Sequence, residues 1–161
     1  MGEIKKDIRT LSQEGIIAFF ESHGEKAFRA KQVYQWLWQK SANSFEEMTN
    51  LSIATRELLS AHFEFKQLEV DVMQQSKDGT IKNGVKLHDG LVVESVLIPT
   101  GTRTTACVSS QVGCSLACKF CATGKLKLMR NLTAGEMVDQ VVYLKNQAEN
   151  RFECLRGHLL Q

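Results

Sequence analysis

Three cysteines lie within eight residues, as Cys114-x3-Cys118-x2-Cys121. Thiolates from one short loop can hold three irons of a four-iron cluster, whereas a closed electron-transfer cluster takes four cysteines. The remaining iron is then open to an external ligand. A zinc site usually pairs two cysteines with two further ligands at a distance, and here the third cysteine follows too soon. The spacing therefore favours an iron–sulfur cluster with one open iron over three unrelated buried thiols.

Two elements are expected to position this loop. Residues 104–109 predict a strand that delivers the loop at its C-terminal end, which is where chemistry gathers in parallel α/β folds. After the loop, Thr133 and Glu136 have the spacing of a capping box, just ahead of the apolar run that begins at Met137. A strand, a cysteine loop and a helix together make one βα unit.

The rest of the chain predicts helices first and strands afterwards. Three helical segments are marked by apolar clusters, and Gly24 ends the first of them. From Lys66 the pattern alternates as in strands, with turns at Asp78-Gly79 and Asp89-Gly90. Asn83-Gly84 suits either a third turn or one continuous strand, and Pro99 closes the last strand. The apolar clusters are Ile16, Ile17, Phe19 and Phe20; Phe28, Val33, Trp36 and Leu37; and Leu51, Leu58, Leu59 and Phe63.

Composition limits the classes of protein. The formal net charge is only +2, so an RNA-binding role has to rest on local basic patches. The N-terminus lacks the apolar core of a secretory signal, and no stretch has the roughly 18 apolar residues of a membrane span. Five cysteines then indicate metal or redox chemistry in a cytoplasmic protein, rather than structural disulfides.

Two groups of basic residues are candidates for contact with phosphates. The helical part combines cations with aromatic rings that can stack on bases, although the same rings also suit a helical core. A second basic stretch follows the cysteines, and an ordinary solvated loop explains it equally well. The four histidines lack ligand-like spacing. The helical group is Arg29, Lys31, Lys40, Tyr34, Trp36 and Trp38, and the second is Lys119, Lys125, Lys127 and Arg130.

The segment around the cysteines matches a family pattern. It reads Cys107-Val-Ser-Ser-Gln-Val-Gly-Cys114-Ser-Leu-Ala-Cys118-Lys-Phe-Cys121-Ala-Thr-Gly, and Arg130-Asn131-Leu132-Thr133 follows. With these residues the chain resembles the RlmN/Cfr family of radical S-adenosylmethionine (SAM) enzymes, and most closely its RlmN-type members, which methylate C2 of adenine in RNA. The resemblance runs from the N-terminus to about Glu149, whereas residues 150–161 do not follow the pattern.

The resemblance implies an α+β fold in three parts. Residues 1–65 correspond to a helical RNA-binding domain and residues 66–99 to a small antiparallel sheet. Residues 100–161 correspond to the start of the radical SAM core, which is the first βα unit of an incomplete partial (βα)6 barrel. The implied cofactors are SAM and one [4Fe-4S] cluster on Cys114, Cys118 and Cys121. The implied partners are 23S rRNA, tRNA and an electron donor such as flavodoxin or ferredoxin, and the protein is expected to be a monomer.

Two further residues receive roles from the resemblance. In the family, a cysteine in the C-terminal part carries the methyl group to the RNA, and a second cysteine resolves the protein–RNA adduct by forming a disulfide. Cys107, seven residues before the first cluster ligand, occupies the place of that resolving thiol; a buried strand thiol is the alternative. Glu94, followed by Ser95-Val96-Leu97-Ile98-Pro99, matches the family's proton acceptor. Burial would raise the pKa of Glu94 and suit that role, and an exposed strand position is the alternative.

The departures from the family are also informative. Nothing after Cys121 matches the context of the methyl-carrying cysteine, no Glu-Pro pair of the second SAM motif is present, and Cys154 receives no role. The resemblance therefore indicates a truncated member, in which full methyl transfer by this chain alone is not expected. Two other functions stay open. One is a noncatalytic RNA-binding fragment, and the other is a small zinc module that uses the cysteine triplet with either Cys107 or Cys154.

Overall fold

The structure is a computed structural model that describes residues 5–101, 103–116 and 118–158. This part of the chain combines helices with antiparallel sheet, and it divides into two compact units between Lys66 and Gln67. The mixed fold predicted from the sequence is thereby confirmed, while its assignment to a partial barrel stays a prediction. Among the described residues, no helix has both the length and the apolar character needed to cross a membrane.

The first unit contains the three helices that the apolar clusters predict. A short strand β1 (Lys6–Asp7) leads through a 3-10 turn to α1 (Gln13–Ser22), α2 (Phe28–Trp38) and α3 (Ile53–His62), and β2 (Phe63–Glu64) then pairs in parallel with β1. Ser12 and Ser52 cap the first and third helices, because each side chain accepts a hydrogen bond from a backbone N–H in the first turn. Gly24 has φ +72°, a left-handed conformation that ends α1 as predicted.

The helices share one apolar core. Its members come from all three helices and from the segments beside them, and the two tryptophans of α2 pack against it while remaining partly exposed. The core interpretation therefore holds for Trp36 and Trp38, whereas Tyr34 is exposed. The fully or nearly fully buried members include Ile8, Ile16, Phe20, Val33, Leu37, Met48 and Leu59.

The second unit is built on a four-stranded antiparallel sheet. Its strands are β3 (Glu69–Gln75), β4 (Ile81–Lys86), β5 (Val92–Thr100) and β6 (Arg103–Cys107), in the order β3-β4-β5-β6. The turns at Asp78-Gly79 and Asp89-Gly90 are confirmed, and Asn83-Gly84 belongs to the continuous strand β4. The strand that was expected to open a new domain pairs antiparallel with β5, so the structure places both in one sheet. The predicted division at about residue 100 stays a prediction.

The long helix α4 (Ala134–His158) covers one face of this sheet. Leu144 is fully buried and packs with Ile81 and Leu97. Beside them, the buried amide of Asn83 exchanges hydrogen bonds of 3.1 and 3.2 Å with the amide of Gln147. The opposite face carries exposed apolar side chains of β3 and β5, so the two faces of the sheet differ strongly in burial.

A two-stranded ladder closes the base of the cysteine loop. β7 (Gln111–Val112) pairs antiparallel with β8 (Arg130–Asn131), so the two ends of the cysteine loop, residues 113–129, lie next to each other. The capped helix α4 begins shortly after β8. The side chain of Cys154, and residues 159–161 of the off-pattern segment, lie outside the described part of the chain.

Candidate functional site

Glu94 and Cys107 lie on the uncovered face of the sheet. Cys107 is directly opposite Val96 in the pairing of β5 with β6, and Glu94 is two residues from Val96. Because side chains alternate between faces along a strand, all three point to the same side. Diagonal neighbours of this kind are roughly 7–8 Å apart in antiparallel sheets. The structure therefore brings together the two residues to which the sequence assigned catalytic roles.

The burial that would suit Glu94 as a proton acceptor is not present in this structure. The side chain of Glu94 is 63% exposed, and its carboxylate accepts a hydrogen bond of 3.0 Å from Lys82 Nζ on the neighbouring strand. Ser109 Oγ also donates a 2.7 Å hydrogen bond to the Glu94 backbone carbonyl, which ties the strand to the segment that leads into the cysteine loop. The exposed-strand alternative describes the position of Glu94, whose role stays a proposal.

Cys107 has an exposed thiol at the end of β6. The alternative interpretation, a buried structural thiol, does not agree with this exposure. On the same side of the sheet lie exposed apolar side chains, among them Val92, which is 54% exposed, and Ile98, which is 38% exposed. The two polar groups thus face open space beside an apolar surface.

Two glycines allow the cysteine loop to fold tightly. Gly113, directly before Cys114, has φ +77°, and a Cβ at this position would lie 2.0 Å from the Lys127 carbonyl oxygen. A Cβ on Gly124 would lie 2.7 Å from the Cys118 carbonyl oxygen and 2.8 Å from its nitrogen. Real Cβ atoms do not approach backbone so closely, so both positions require glycine. The backbone that carries the cysteines is therefore packed against the returning part of the same loop.

The three cysteines of this loop are half-buried free thiols. Cys114 Sγ accepts a 3.4 Å hydrogen bond from the Leu116 N–H, and the Cys121 N–H donates to the Cys118 carbonyl at 3.2 Å. A cavity of about 320 Å³ opens beside Cys114 and is lined by Ser115 and residues 124–128. Three accessible thiols, one with a backbone donor at its sulfur, suit an iron–sulfur cluster in their donor chemistry. Within the described residues no three ligand side chains already converge as a metal site, so the cluster stays a proposal.

Arg130 anchors the end of the loop, a role that was not predicted from the sequence. Its guanidinium donates to both carboxylate oxygens of Glu136, at 2.8 and 2.9 Å, and to Asp89 at 2.7 Å. It therefore joins β8 to the first turn of α4 and to the turn between β4 and β5. Its donors are engaged by carboxylates, which argues against the predicted contact with phosphates. An acidic residue six positions after the arginine was the only signal in the sequence.

The ion pairs determine how these groups titrate. Burial alone would raise the pKa of Glu136, but the hydrogen bonds from Arg130 and the Thr133 N–H outweigh it, and the pKa lies below its usual value. The hydrogen bond from Arg130 likewise lowers the pKa of Asp89, and the two carboxylates raise the pKa of Arg130. Glu136 is only 4% exposed and also completes the predicted capping box, since it accepts from the Thr133 N–H at 2.8 Å.

A buried glutamine holds the segment before the loop. Gln140 is fully buried on α4, accepts from the Ser109 N–H at 2.9 Å and donates to the Ser109 carbonyl at 3.0 Å. This pair of bonds satisfies the backbone of Ser109 as a neighbouring strand would. Two residues of α4 therefore hold the two sides of the cysteine loop. Gln140 bonds to Ser109 before the loop, and Glu136 bonds to Arg130 after it.

The lysines of the loop remain candidates for anion binding. Lys119, Lys125 and Lys127 are exposed, and in the described part of the chain none of them forms an ion pair. Beside them are large exposed apolar side chains, including Phe120 at 94% and Leu116 at 77% exposure. The loop thus presents cations and apolar groups together.

In the first unit, the three basic residues that were predicted to face RNA differ in their contacts. Lys40 lies over the Trp36 ring, 3.7 Å from its centroid, whereas Arg29 is paired with Glu25 at 2.8 Å. Lys31 is exposed. The histidines also differ from expectation, because the fold places His23 and His62 against each other although they are far apart in the sequence.

The comparisons with known proteins agree with this architecture. Residues 6–65 match the family model described as the ribosomal RNA large subunit methyltransferase N-terminal domain. A relative from Christiangramia forsetii, named "Probable dual-specificity RNA methyltransferase RlmN", is 60% identical over 149 residues, which cover 92% of this chain and 42% of the relative. A "Dual-specificity RNA methyltransferase RlmN" from Desulfotalea psychrophila is 44% identical over 85% of this chain and 38% of its own length.

A solved structure gives the same result in three dimensions. The crystal structure of a radical SAM methyltransferase from Sphaerobacter thermophilus superposes with a TM-score of 0.73 at 37% sequence identity. The match covers 91% of this chain and 43% of that one. The chain spans about two fifths of the length of the curated relatives it matches.

Proposed function

Because the chain belongs to the RlmN family of radical SAM methyltransferases, we propose that it supplies the cluster ligands and two catalytic residues of an enzyme that methylates C2 of adenine in ribosomal and transfer RNA. The observation that carries the proposal is the common location of these groups. Glu94 and Cys107 share the uncovered face of one sheet, and the cysteine loop follows within a few residues of Cys107.

The cysteine triplet is the ligand set in this proposal. Cys114, Cys118 and Cys121 would hold three irons of a [4Fe-4S] cluster and leave the fourth for SAM. When bound, the cluster and SAM supply the radical chemistry that an unreactive aromatic carbon requires. The Leu116 N–H donates a hydrogen bond to Cys114 Sγ, and hydrogen bonds to the sulfurs are one of the means by which proteins tune such clusters.

Cys107 has the role of resolving thiol. Its thiolate attacks the sulfur of the cysteine that links protein and RNA, and a disulfide forms. The electron pair of the broken carbon–sulfur bond stays with the methylene carbon, which takes up a proton to become the methyl group. Such an attack requires an accessible thiol, and the exposure of Cys107 at the end of β6 supports this role.

Glu94 has the role of proton acceptor for the hydrogen at C2. Its carboxylate faces the open side of the sheet, where a flipped base can reach it, and the exposed apolar side chains nearby offer a surface for an aromatic ring. Lys82, at 3.0 Å, holds the carboxylate in place. The substrate RNA would further contact exposed lysines such as Lys31 and those of the cysteine loop. The electron donor is a flavodoxin or ferredoxin, and the protein acts as a cytoplasmic monomer.

The test is anaerobic reconstitution of the full chain with iron and sulfide. We expect a four-iron cluster, with an electron paramagnetic resonance spectrum of the reduced form that changes when SAM is added. Cys118→Ser should abolish cluster loading. Cys107→Ser is the matched control, because it removes a thiol outside the triplet and should leave loading intact.

Two results would contradict the proposal. One is a chain that retains zinc and shows no iron–sulfur absorbance, which would favour the zinc module. The other is a cluster that forms equally well in Cys118→Ser. A cluster that forms but never responds to SAM would support the three cysteines as ligands and contradict SAM as the cofactor at the fourth iron.

A further inference from the structure

His23 and His62 form a pair that the methyltransferase chemistry does not use. His23 follows the last residue of α1, and His62 is the last residue of α3. Their ring centroids are 4.8 Å apart and their planes are inclined at 69°. Both side chains are exposed to solvent, so an ion can reach them directly from water.

Hydrogen bonds define the tautomer of each ring. His23 Nδ1 lies 2.8 Å from the Phe19 carbonyl oxygen, and His62 Nδ1 lies 2.9 Å from the Leu58 carbonyl oxygen. A carbonyl oxygen can only accept, so a hydrogen on Nδ1 satisfies both contacts and leaves each Nε2 with its lone pair. Ser22 Oγ also lies 3.1 Å from His23 Nδ1 and can accept from it, because Ser22 Oγ itself donates to the Phe19 carbonyl. Nδ1–H donation to a backbone carbonyl is also the arrangement that orients metal-binding histidines. No hydrogen bond or ion pair within the described residues engages either Nε2.

The ring separation is compatible with two imidazoles on one ion when both Nε2 atoms are directed at it. A metal bound to both Nε2 atoms at about 2.1 Å would lie about 3.2 Å from each ring centroid. Centroids 4.8 Å apart then correspond to an angle of about 100° at the metal, between the square-planar and tetrahedral values.

The surroundings favour a cation and restrain the rings. Both histidines are at helix C-termini, where the aligned peptide dipoles create partial negative charge. The Phe19 ring contacts both imidazoles, with centroid distances of 4.4 Å to His23 and 5.2 Å to His62. Phe63 packs on Phe19 from another side, at 4.8 Å. The two ligands are therefore held near each other before any ion binds, which reduces the entropy lost on binding.

We propose that His23 and His62 form a two-histidine site for a divalent transition ion of the zinc, nickel or copper class, with water in the remaining positions. These are the ions that neutral imidazole prefers. The bound ion links the C-terminal ends of α1 and α3. This site is independent of the cysteine loop and does not rest on the proposed methyl transfer.

The experiment is a zinc chloride titration of the full chain, followed by proton–nitrogen NMR of the imidazole groups. We expect the Nε2 resonances of His23 and His62 to shift together with one binding curve, while those of His88 and His158 do not follow it. Because the readout is specific to each ring, zinc that binds the cysteine thiols does not interfere.

Variants complete the test. His23→Gln should weaken zinc binding at His62 more than about tenfold, and His62→Gln should do the same at His23. His88→Gln is the control and should change neither. The three substituted histidines are all exposed, so circular dichroism should show all three variants folded. Independent binding curves for the two rings, or an unchanged affinity at one ring after loss of the other, would overturn the proposal.

Discussion

Substitution of Arg130 tests whether its ion pairs with Glu136 and Asp89 stabilise the end of the cysteine loop. Arg130→Gln removes the cation from a carboxylate that is only 4% exposed and from Asp89, while keeping a polar side chain of moderate length. Breaking a buried pair in this way typically costs about 3–5 kcal/mol. Glu136 retains the Thr133 N–H, and His88 Nδ1 lies 3.4 Å from its carboxylate. We therefore expect a loss of about 2–3 kcal/mol in the free energy of unfolding.

The measurement is urea denaturation of the full chain at pH 7. Lys127→Gln is the matched control, because it makes the same change of charge at an exposed position of the same loop and should stay within about 0.5 kcal/mol of the wild type. Glu136→Gln keeps an acceptor for the capping box but loses the ion pair. In the double variant Arg130→Gln/Glu136→Gln, the loss in the free energy of unfolding should be smaller than the sum of the losses in the two single variants.

The same substitution should change the dependence of stability on pH. Glu136 and Asp89 have lower pKa values in the folded chain than their ordinary values of 4.5 and 3.8. Their stabilising contribution is therefore complete above the ordinary values and is lost as the pH falls through the folded ones. Wild-type stability should decline below about pH 4.5, and Arg130→Gln should decline less. A loss under about 0.5 kcal/mol with an unchanged pH profile would refute the role given to Arg130.

Two further outcomes are expected in the segments that carry the site. Gly113→Ala should destabilise the chain by at least about 2 kcal/mol more than Gly90→Ala, because both have φ near +80° but only at Gly113 would the Cβ meet backbone. Similar losses in the two variants would exclude the steric explanation. Gln140→Leu should cost about 2 kcal/mol, because it leaves the N–H and carbonyl of Ser109 without their partners, and amide hydrogen exchange at Ser109 should accelerate. Unchanged exchange there would show that Gln140 does not hold this segment.

Local patterns predicted the secondary structure well. The helices, the hairpin turns and the capping box depend on neighbours within a few residues, which the sequence displays directly. The partner of β6 could not be found in this way. Residues 104–109 were predicted as the first strand of a new βα unit, because the local pattern shows a strand but does not show its antiparallel pairing with β5.

The candidate site was predicted in its residue types but not in its surroundings. Spacing and family resemblance identify the cysteines, Glu94 and Cys107. They do not reveal that Glu94 pairs with Lys82, because that contact is set by the register of β4 against β5. The contact of Arg130 with Asp89 joins residues 41 positions apart, and the meeting of His23 and His62 depends on helix packing. Long-range geometry of this kind is absent from a single sequence.

The ladder between β7 and β8 fixes the two ends of the cysteine loop independently of any metal. Bringing together the ends of a flexible segment as long as residues 113–129 costs about 2.5 kcal/mol in chain entropy. Here the hydrogen bonds of the ladder close that segment when the chain folds, without any ion or cluster on the thiols. The backbone around the three thiols is therefore confined in the folded chain, which distinguishes it from an isolated peptide of residues 113–129.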